Sequence, residues 1–529
     1  MTGEALTGRP AGPGHGRTFG HALKWSYVMD VGRQGMTLLV TFVLAGILGP
    51  GTYGVVAMAA VYIAFLRLLL AQGMVPAVIQ RPDLRRAHTD AAFWMVMGMA
   101  IPLVLVTIPL SGWWAALNDT PELGPVVMVL SLMLPIEGLK VVHEALLRRD
   151  LDIRPLAVRT NVSVLAGAVV GVVLAVVLRN VWALVAQQLT TSVVDVAMLW
   201  RFNRWRPRAR FDRRAARDLL SFTAGSSFAS FGVFLNNRAD VLVTGLFFGP
   251  VAVGLYRFAS RLVDTAITVT VTSLQGAALP ELSRHQHDPR HFAERFVVVV
   301  RAGALLSLPL LGVLAGVADP LMGVIGDRWE PAVAPLMILC VMGAGRALTM
   351  LNGPMLQALG RPGRLAWLAW LHAGISAGSF VVAGVLLRDA AVDRQVVGMS
   401  WSRAVLWAGL FLVINMGVLR WATEVRMAAV ARAVGPSALA GLAGAAAGVL
   451  VGGATAGLAG DLVRLVVVAT AGAVVALLVL YATDGVVRTK LAGTLATRGR
   501  GGQWAATHAP GFGTVHADAP QQTLESSSP

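Results

Sequence analysis

Positive charges inside apolar segments are the residues of this sequence that could do chemistry. A charged side chain at the centre of a bilayer costs about 2.5–3.5 kcal/mol on insertion scales, so it generally faces a cavity or a partner. A guanidinium binds phosphate through two parallel hydrogen bonds and keeps its charge at any relevant pH. The basic residues of this kind outnumber the acids and are Arg33, Arg67, Lys140, Arg238, Arg257, Arg261, Arg301, Arg346 and Arg403.

Depth along the apolar segments separates five of these side chains from the rest. Arg301 lies close to one end of its segment, and Arg257 lies close to a turn. Lys140 has acids at i−3 and i+4, so we expect it to be neutralised on its own helix by Glu137 and Glu144. These three are interpreted as structural. The arginines nearest mid-depth, and therefore the predicted anion-binding set, are Arg33, Arg67, Arg238, Arg261 and Arg346.

Local ion pairing is the alternative for three of these five arginines. An acid lies within three residues in the pairs Asp30–Arg33, Asp240–Arg238 and Asp264–Arg261. Arg67 and Arg346 have no acid within four residues, so local pairing does not account for them.

The composition indicates that these charged residues lie on membrane-spanning helices. Of 529 residues, 56% are hydrophobic and 14% charged, and the mean hydropathy is +0.67, whereas soluble domains are about 25% charged. Apolar runs long enough to cross a hydrocarbon core recur along the chain. The sequence predicts an all-α polytopic membrane protein with about fourteen helices, at 22–48, 53–79, 90–115, 122–147, 154–178, 181–201, 218–248, 251–279, 293–318, 331–358, 363–387, 394–419, 435–459 and 462–484.

Lysine and arginine follow one side of the predicted membrane. Every second joint is basic, and the run RFNRWRPRARFDRRAAR at 201–217 is the most basic of all. By the positive-inside rule, both termini lie in the cytoplasm of a multi-pass plasma (inner) membrane protein. The basic run then faces anionic lipid headgroups. Because the charge follows the membrane side and not one compact face, we expect no nucleic-acid partner.

The chain contains an internal repeat. LGPGTYGVV at 48–56 recurs as FGPVAVGLY at 248–256, and QGMVPAVIQR at 72–81 recurs as QGAALPELSR at 275–284. An even number of predicted helices separates the copies, which indicates a parallel repeat about an axis along the membrane normal. The predicted organisation is a tail at 1–21, a first six-helix lobe at 22–200, a linker at 201–217, a second lobe at 218–420, a helix pair at 421–484 and a disordered tail at 485–529.

Several stretches together resemble one transporter family. They are LGPGTYGVVAMA, ALLRRDLDIRPLA, NNRADVLVTGLFFGPVAVGLYRFASRL, LPELSR, GDRWEPAVAPLMIL and LNGPMLQALGRPG. In their order and spacing, over roughly 20–370, the chain resembles the Wzx-like polysaccharide flippases of the MOP superfamily. Arg67 and Asp90 look atypical for that family. The resemblance implies two lobes around a central cavity that opens alternately to each face, and it implies no cofactor.

The resemblance also implies a substrate, a polyprenyl-pyrophosphate-linked oligosaccharide that passes from the cytoplasmic to the outer leaflet. Asn236, Asn237 and Asn352 could then hydrogen-bond sugar hydroxyls, although bridging between helices is the commoner role of such residues. Asp30 and Asp240 are candidates for a coupling proton or cation. Other membrane proteins of polysaccharide assembly are candidate partners.

Two other classes of function were weighed. An enzyme acting on the same sugars would need acids, bases or a metal gathered at one membrane face, and the short joints hold neither such a cluster nor a phosphate-cradling loop. We therefore expect no enzyme and no metal site. A cation-coupled multidrug exporter of the same superfamily is the alternative. It should have acids in its cavity, whereas arginines predominate here.

Overall fold

The computed structural model describes residues 15–71, 74–150, 152–457 and 460–489, which are helical with short joints and contain no strand. The predicted tails lie outside the described residues up to residue 14 and from residue 490. The first helix already begins at His15, and residues 485–489 are helical, so both tails are shorter than the sequence indicated.

The first lobe consists of nine α-helices. Some consecutive helices are segments of the same bent membrane crossing. In chain order they are α1 (His15–Ile47), α2 (Pro50–Ala71), α3 (Met74–Gln80), α4 (Arg86–Leu117), α5 (Leu123–Ser131), α6 (Met133–Gly138), α7 (Val141–Arg149), α8 (Ile153–Leu178) and α9 (Trp182–Phe202).

The remaining helices form the second lobe and the C-terminal pair. They are α10 (Arg213–Ile267), α11 (Ser273–Arg284), α12 (Pro289–Gly316), α13 (Ala318–Ile325), α14 (Val333–Thr349), α15 (Asn352–Ala358), α16 (Pro362–Leu386), α17 (Val392–Ala404), α18 (Phe411–Ala422), α19 (Met427–Ala454) and α20 (Asp461–Thr483). A 3-10 turn at Asp327–Ala332 leads into α14, and π-helical turns lie at Thr268–Thr272 and Val405–Leu410.

Helix α10 folds back on itself at the second Gly-Pro turn. Gly249 has φ 76° and ψ −174°, a conformation that suits glycine, and Pro250 starts the next arm. The Tyr256 hydroxyl donates to the Asp240 carboxylate at 2.8 Å. Sixteen residues of straight helix would hold these residues about 24 Å apart. The two arms of α10 therefore form a hairpin, as the repeat predicted.

The predicted count of fourteen spans is not confirmed. Over the described ranges, eleven helices are long and apolar enough to cross a membrane, or twelve if the bent pair Leu123–Gly138 and Val141–Arg149 is one span. Phe231–Arg284 is one of the eleven and contains both arms of the α10 hairpin, which meet at the non-helical Gly249. Within the part of the first helix whose side chains the structure describes, Gly32–Ile47 is a shorter apolar stretch.

The C-terminal pair packs on the second lobe through glycines. A Cβ placed on Gly312 of α12 would lie 2.0 Å from the carbonyl oxygen of Gly441 on α19, and Gly316 meets Gly448 in the same way. Small residues allow helix backbones to approach this closely inside a bilayer. The glycines of α19 thus allow it to pack closely on α12.

The basic linker packs across the N-terminal end of α4 and is hydrogen-bonded to it. The Trp205 indole donates to the Thr89 hydroxyl at 3.0 Å, and the Trp94 indole donates to the Arg208 carbonyl at 2.7 Å. Asp90, atypical in the sequence, accepts the Arg208 backbone N–H at 3.4 Å and is buried. At the start of α10, backbone N–H donors lower the pKa of the Asp212 carboxyl. The linker is therefore an ordered strap between the lobes.

Candidate functional site

The two Gly-Pro turns meet face to face between the lobes. A Cβ on Gly54 would lie 1.7 Å from the carbonyl oxygen of Pro250, and a Cβ on Gly254 would lie 1.8 Å from that of Pro50. Each turn thus packs its proline backbone on the bare Cα of the other. We call this contact the Gly-Pro seal. The end of the helix bundle at which the seal lies is called the Gly-Pro end.

Aromatic rings close the space behind the seal. The buried Trp329 indole donates to the Ala45 carbonyl at 2.9 Å, and its ring lies 4.5 Å from that of Phe258. Tyr53 packs edge-on against Trp329 at 5.6 Å and donates its hydroxyl to the Thr41 carbonyl at 2.9 Å. These contacts join α1, α2, the second arm of α10 and the turn before α14.

Directly beneath the seal lies a cavity of about 360 Å³, which we call the arginine pocket. Gly254 belongs both to its lining and to the seal. Among the residues that the structure describes, three guanidinium groups and no carboxylate line it. The lining residues are Thr41, Leu44, Tyr53, Val56, Ala57, Ala60, Leu184, Gln187, Gln188, Arg238, Gly254, Arg257, Phe258 and Arg261.

The arginine pocket carries uncompensated positive charge. Arg257 lies 3.3 Å from Asp264, but that carboxylate also pairs with Arg346 at 2.7 Å. In the described part of the chain, neither Arg238 nor Arg261 has a carboxylate within 4.0 Å. The arrangement can therefore bind an anion with at least two guanidiniums that no ion pair occupies.

Two of the three local ion pairs that the sequence suggested do not form, because their acids pair with arginines of other helices or other turns. Asp240 pairs with Arg403 of α17 and not with Arg238; the exposed fractions of this pair are 1% and 3%. Asp264 pairs with Arg346 and Arg257 and not with Arg261. Only the third expected pair forms.

That third pair is Asp30–Arg33, at 3.8 Å, with side chains 64% and 47% exposed. Arg33 does not line the arginine pocket. Asp240 is hydrogen-bonded by Tyr256 and paired with Arg403, so a guanidinium already occupies the place of a coupling cation. A coupling role for Asp30 or Asp240 stays a prediction.

A second cavity of about 290 Å³, the side pocket, adjoins the first within lobe one. Gln187 and Gln188 line both cavities. The charges of the side pocket are balanced, since two basic and two acidic side chains line it. The lining residues are Thr37, Arg67, Met133, Glu137, Lys140, Val164, Gln187, Gln188, Thr191, Ser192 and Asp195.

Charge pairing in the side pocket runs between helices and not along them. Arg67 of α2 pairs with Glu137 at 2.9 Å, although it has no acid near it in sequence. Lys140 pairs with Asp195 of α9 at 3.1 Å, so the expectation that Lys140 is neutralised on its own helix is wrong. The helices are so close that acids on neighbouring helices lie nearer than those one turn away.

Sequence reasoning missed Arg159, which holds this network together. It is buried, donates to Asp195 at 2.5 Å and also pairs with Glu144 at 3.1 Å. It lies in the second turn of α8, inside the helix predicted at 154–178, and is missing from the set of basic residues selected within the apolar segments. Its position past the helix start was the available signal.

The other predicted residues lie outside the two pockets. Arg346 stacks over Trp407 at 5.7 Å and reaches the site only through Asp264. Asn352 is buried and donates its amide to the Asn415 side chain at 3.0 Å. Asn236 accepts from Ser376 at 3.2 Å. None of the three predicted sugar-binding asparagines lines either pocket.

Comparison with known proteins agrees with this architecture. Residues 43–334, more than half of the chain, match the family described as polysaccharide biosynthesis protein. The chain belongs to this family. The resemblance to Wzx-like polysaccharide proteins, which the sequence motifs indicated, is confirmed by this family match.

Relatives of this family are recognisable by sequence at low identity. The succinoglycan biosynthesis transport protein ExoT of Rhizobium meliloti is 25% identical over 396 residues, which are 74% of this chain and 78% of ExoT. The lipopolysaccharide biosynthesis protein WzxC of Escherichia coli is 24% identical over 341 residues, 64% of this chain and 69% of its own.

Solved structures share the fold. The lipid II flippase MurJ, in an inward closed conformation, aligns with 89% of this chain and 99% of its own at a TM-score of 0.67 and 10% identity. A MATE-family multidrug resistance transporter of the MOP superfamily, in an inward-facing conformation, aligns with 73% of this chain and 96% of its own at a TM-score of 0.57 and 13% identity. At such identities the likeness shows the fold alone.

Proposed function

We propose that this protein moves a polyprenyl-diphosphate-linked oligosaccharide from the cytoplasmic to the outer leaflet for the synthesis of a cell-surface polysaccharide. The observation that carries the proposal is the pair Arg238 and Arg261, which lie together beneath the Gly-Pro seal with no carboxylate partner among the described residues. Unpaired guanidiniums in a cavity between lobes suit a diphosphate, while the polyprenyl chain stays in lipid. Transport, and not catalysis, is the role that fits them.

Alternating access supplies the movement in this proposal. The distribution of lysine and arginine orients the Gly-Pro end toward the outer face. The sealed form then holds the arginine pocket away from the outer face, and separation of the two Gly-Pro turns would release the head group there. Rocking of two repeat lobes about a central site is how such transporters generally work.

A multidrug exporter is disfavoured by the same pocket. A cationic drug would meet three guanidiniums and no lining carboxylate. The resulting repulsion opposes binding in a cavity where charge is poorly screened.

Reconstituted transport tests the proposal. We would measure transfer of a labelled polyprenyl-diphosphate oligosaccharide across proteoliposomes for wild type, Arg238→Gln and Arg261→Gln. Loss of one charge-assisted hydrogen bond, worth about 1.5–3 kcal/mol, predicts a fall of roughly 10- to 100-fold. Arg420→Gln is the matched control, since Arg420 is exposed and outside both pockets.

Two outcomes would contradict the proposal. One is undiminished transfer by folded Arg238→Gln and Arg261→Gln proteins. The other is transfer of cationic drugs, and not of lipid-linked sugars, by the wild type.

A further inference from the structure

The two adjoining cavities differ in charge, and the difference matches the two parts of a lipid-linked sugar. The arginine pocket has three positive and no negative lining side chains. The side pocket has Arg67 and Lys140 against Glu137 and Asp195, so its lining carries no net charge. An anion is favoured in the first, whereas the second gains nothing by binding one. A neutral, hydroxyl-rich group suits the second.

Polar side chains of α9 form a continuous face across both cavities. Gln187 and Thr191 are one turn apart, as are Gln188 and Ser192, and Asp195 extends the same face. Helix geometry therefore presents amides, hydroxyls and a carboxylate in one row. The row begins in the arginine pocket, because Gln187 and Gln188 line it too.

Gly171 of α8 packs against the Gln187 side chain. A Cβ on Gly171 would lie 2.9 Å from Cβ of Gln187 and 3.0 Å from its Cγ, so the glutamine stem rests on the bare Cα of Gly171. Among the described residues, neither Gln187 nor Gln188 has a side-chain hydrogen-bond partner. Two amides positioned at the junction of the cavities are therefore free to bind a ligand.

The chemistry of these groups is that of sugar recognition. A sugar hydroxyl both donates and accepts, and a glutamine amide offers a donor and an acceptor at one site. Carboxylates such as Glu137 and Asp195 have remaining lone pairs for further hydroxyl donors beyond their ion pairs. The three asparagines expected to bind sugar lie elsewhere, which leaves this row as the polar surface next to the arginines.

We propose that the side pocket binds the sugar units nearest the diphosphate, with Gln187 and Gln188 as the residues that recognise them. This inference rests on the proposed function. The first sugar of such a substrate is bonded directly to the diphosphate, so its site must adjoin the anion site. The two shared glutamines provide that adjacency.

Binding of two kinds of lipid separates the sugar site from the anion site. The probes are farnesyl diphosphate and farnesyl diphosphates carrying glucose, galactose, N-acetylglucosamine or glucuronic acid, titrated against the purified full-length protein. We expect at least one sugar to tighten wild-type binding about tenfold, which corresponds to about one or two hydrogen bonds. Gln187→Leu with Gln188→Leu should abolish that gain, so that this variant binds the sugar-bearing lipids no more tightly than farnesyl diphosphate.

The controls distinguish this inference from the proposed function. Thr191→Val removes one hydroxyl of the row with little change in volume and should reduce only the gain from sugar. Gln357→Leu changes an exposed glutamine of α15 and should alter neither affinity. If no sugar tightens wild-type binding, or if the glutamine variants weaken both lipids equally, the sugar site is overturned while the anion site stands. If the wild type binds neither lipid, both proposals fail.

Discussion

Gly54 and Gly254 make the same contact from opposite lobes. Each bare Cα lies against the backbone of the other lobe's turn proline, Pro250 and Pro50 respectively. The contact thus explains why the Gly-Pro turn occurs twice in the sequence. Each copy supplies a proline backbone and also the glycine on which the proline of the other copy packs. Since the seal covers the arginine pocket, we expect this reciprocal contact to control access to it.

Replacing either glycine of the seal should open the Gly-Pro end. A methyl group on Gly54 or Gly254 would fall within 2 Å of a carbonyl oxygen, so the sealed form cannot keep its backbone positions. In a Cys340→Ala background, we expect Gly54→Ala to increase labelling of Ala57→Cys, in the arginine pocket, by an impermeant maleimide. Gly98→Ala, where a Cβ meets nothing within 4 Å, is the control. Unchanged labelling would show that the seal tolerates the methyl group.

The Asp240–Arg403 pair should behave as a structural pair. Asp240→Asn leaves the buried Arg403 guanidinium uncompensated, and such losses destabilise by about 3–5 kcal/mol. We expect Asp240→Asn to unfold at lower temperature in detergent. Asp240→Asn with Arg403→Met should recover most of the stability and retain transport in proteoliposomes. A stable double variant that cannot transport would instead assign Asp240 to ion coupling.

Arg346 should affect anion binding from outside the arginine pocket. It shares Asp264 with Arg257, so Arg346→Met leaves that carboxylate to neutralise Arg257 alone. We expect affinity for farnesyl diphosphate, measured by calorimetry, to fall about two- to fivefold, as for a partly exposed ion pair. Arg420→Met is the control. An unchanged affinity would mean that Arg257 contributes little to anion binding.

The linker strap should loosen when its indole hydrogen bond is removed. Trp205→Phe keeps an aromatic ring, although a smaller one, and loses the bond to Thr89, worth about 1 kcal/mol. We expect faster trypsin cleavage after the exposed Arg208 and Arg210. Trp367→Phe, at a ring that is 63% exposed, should leave cleavage unchanged. Equal cleavage rates in both variants and in wild type would contradict an ordered strap.

Three features could be predicted from the sequence because each depends on residue type and spacing along the chain. They are the apolar segments, the membrane side on which lysine and arginine lie, and the internal repeat. They predicted a helical membrane protein with two related lobes and matching Gly-Pro turns, and the structure and family confirm that architecture. They also selected Arg238 and Arg261, since depth within an apolar run is counted in residues.

Only the tertiary structure decided which charges remain free. Asp264 and Arg346 are 82 residues apart, and Asp240 and Arg403 are 163 apart, yet each pair is in contact because the helices of lobe two pack side by side. A search within four residues cannot find such partners. The same packing brings Gln187 and Gln188, inconspicuous in the sequence, to the junction of two cavities. Whether an arginine is paired depends on distances between helices, which spacing along one helix does not contain.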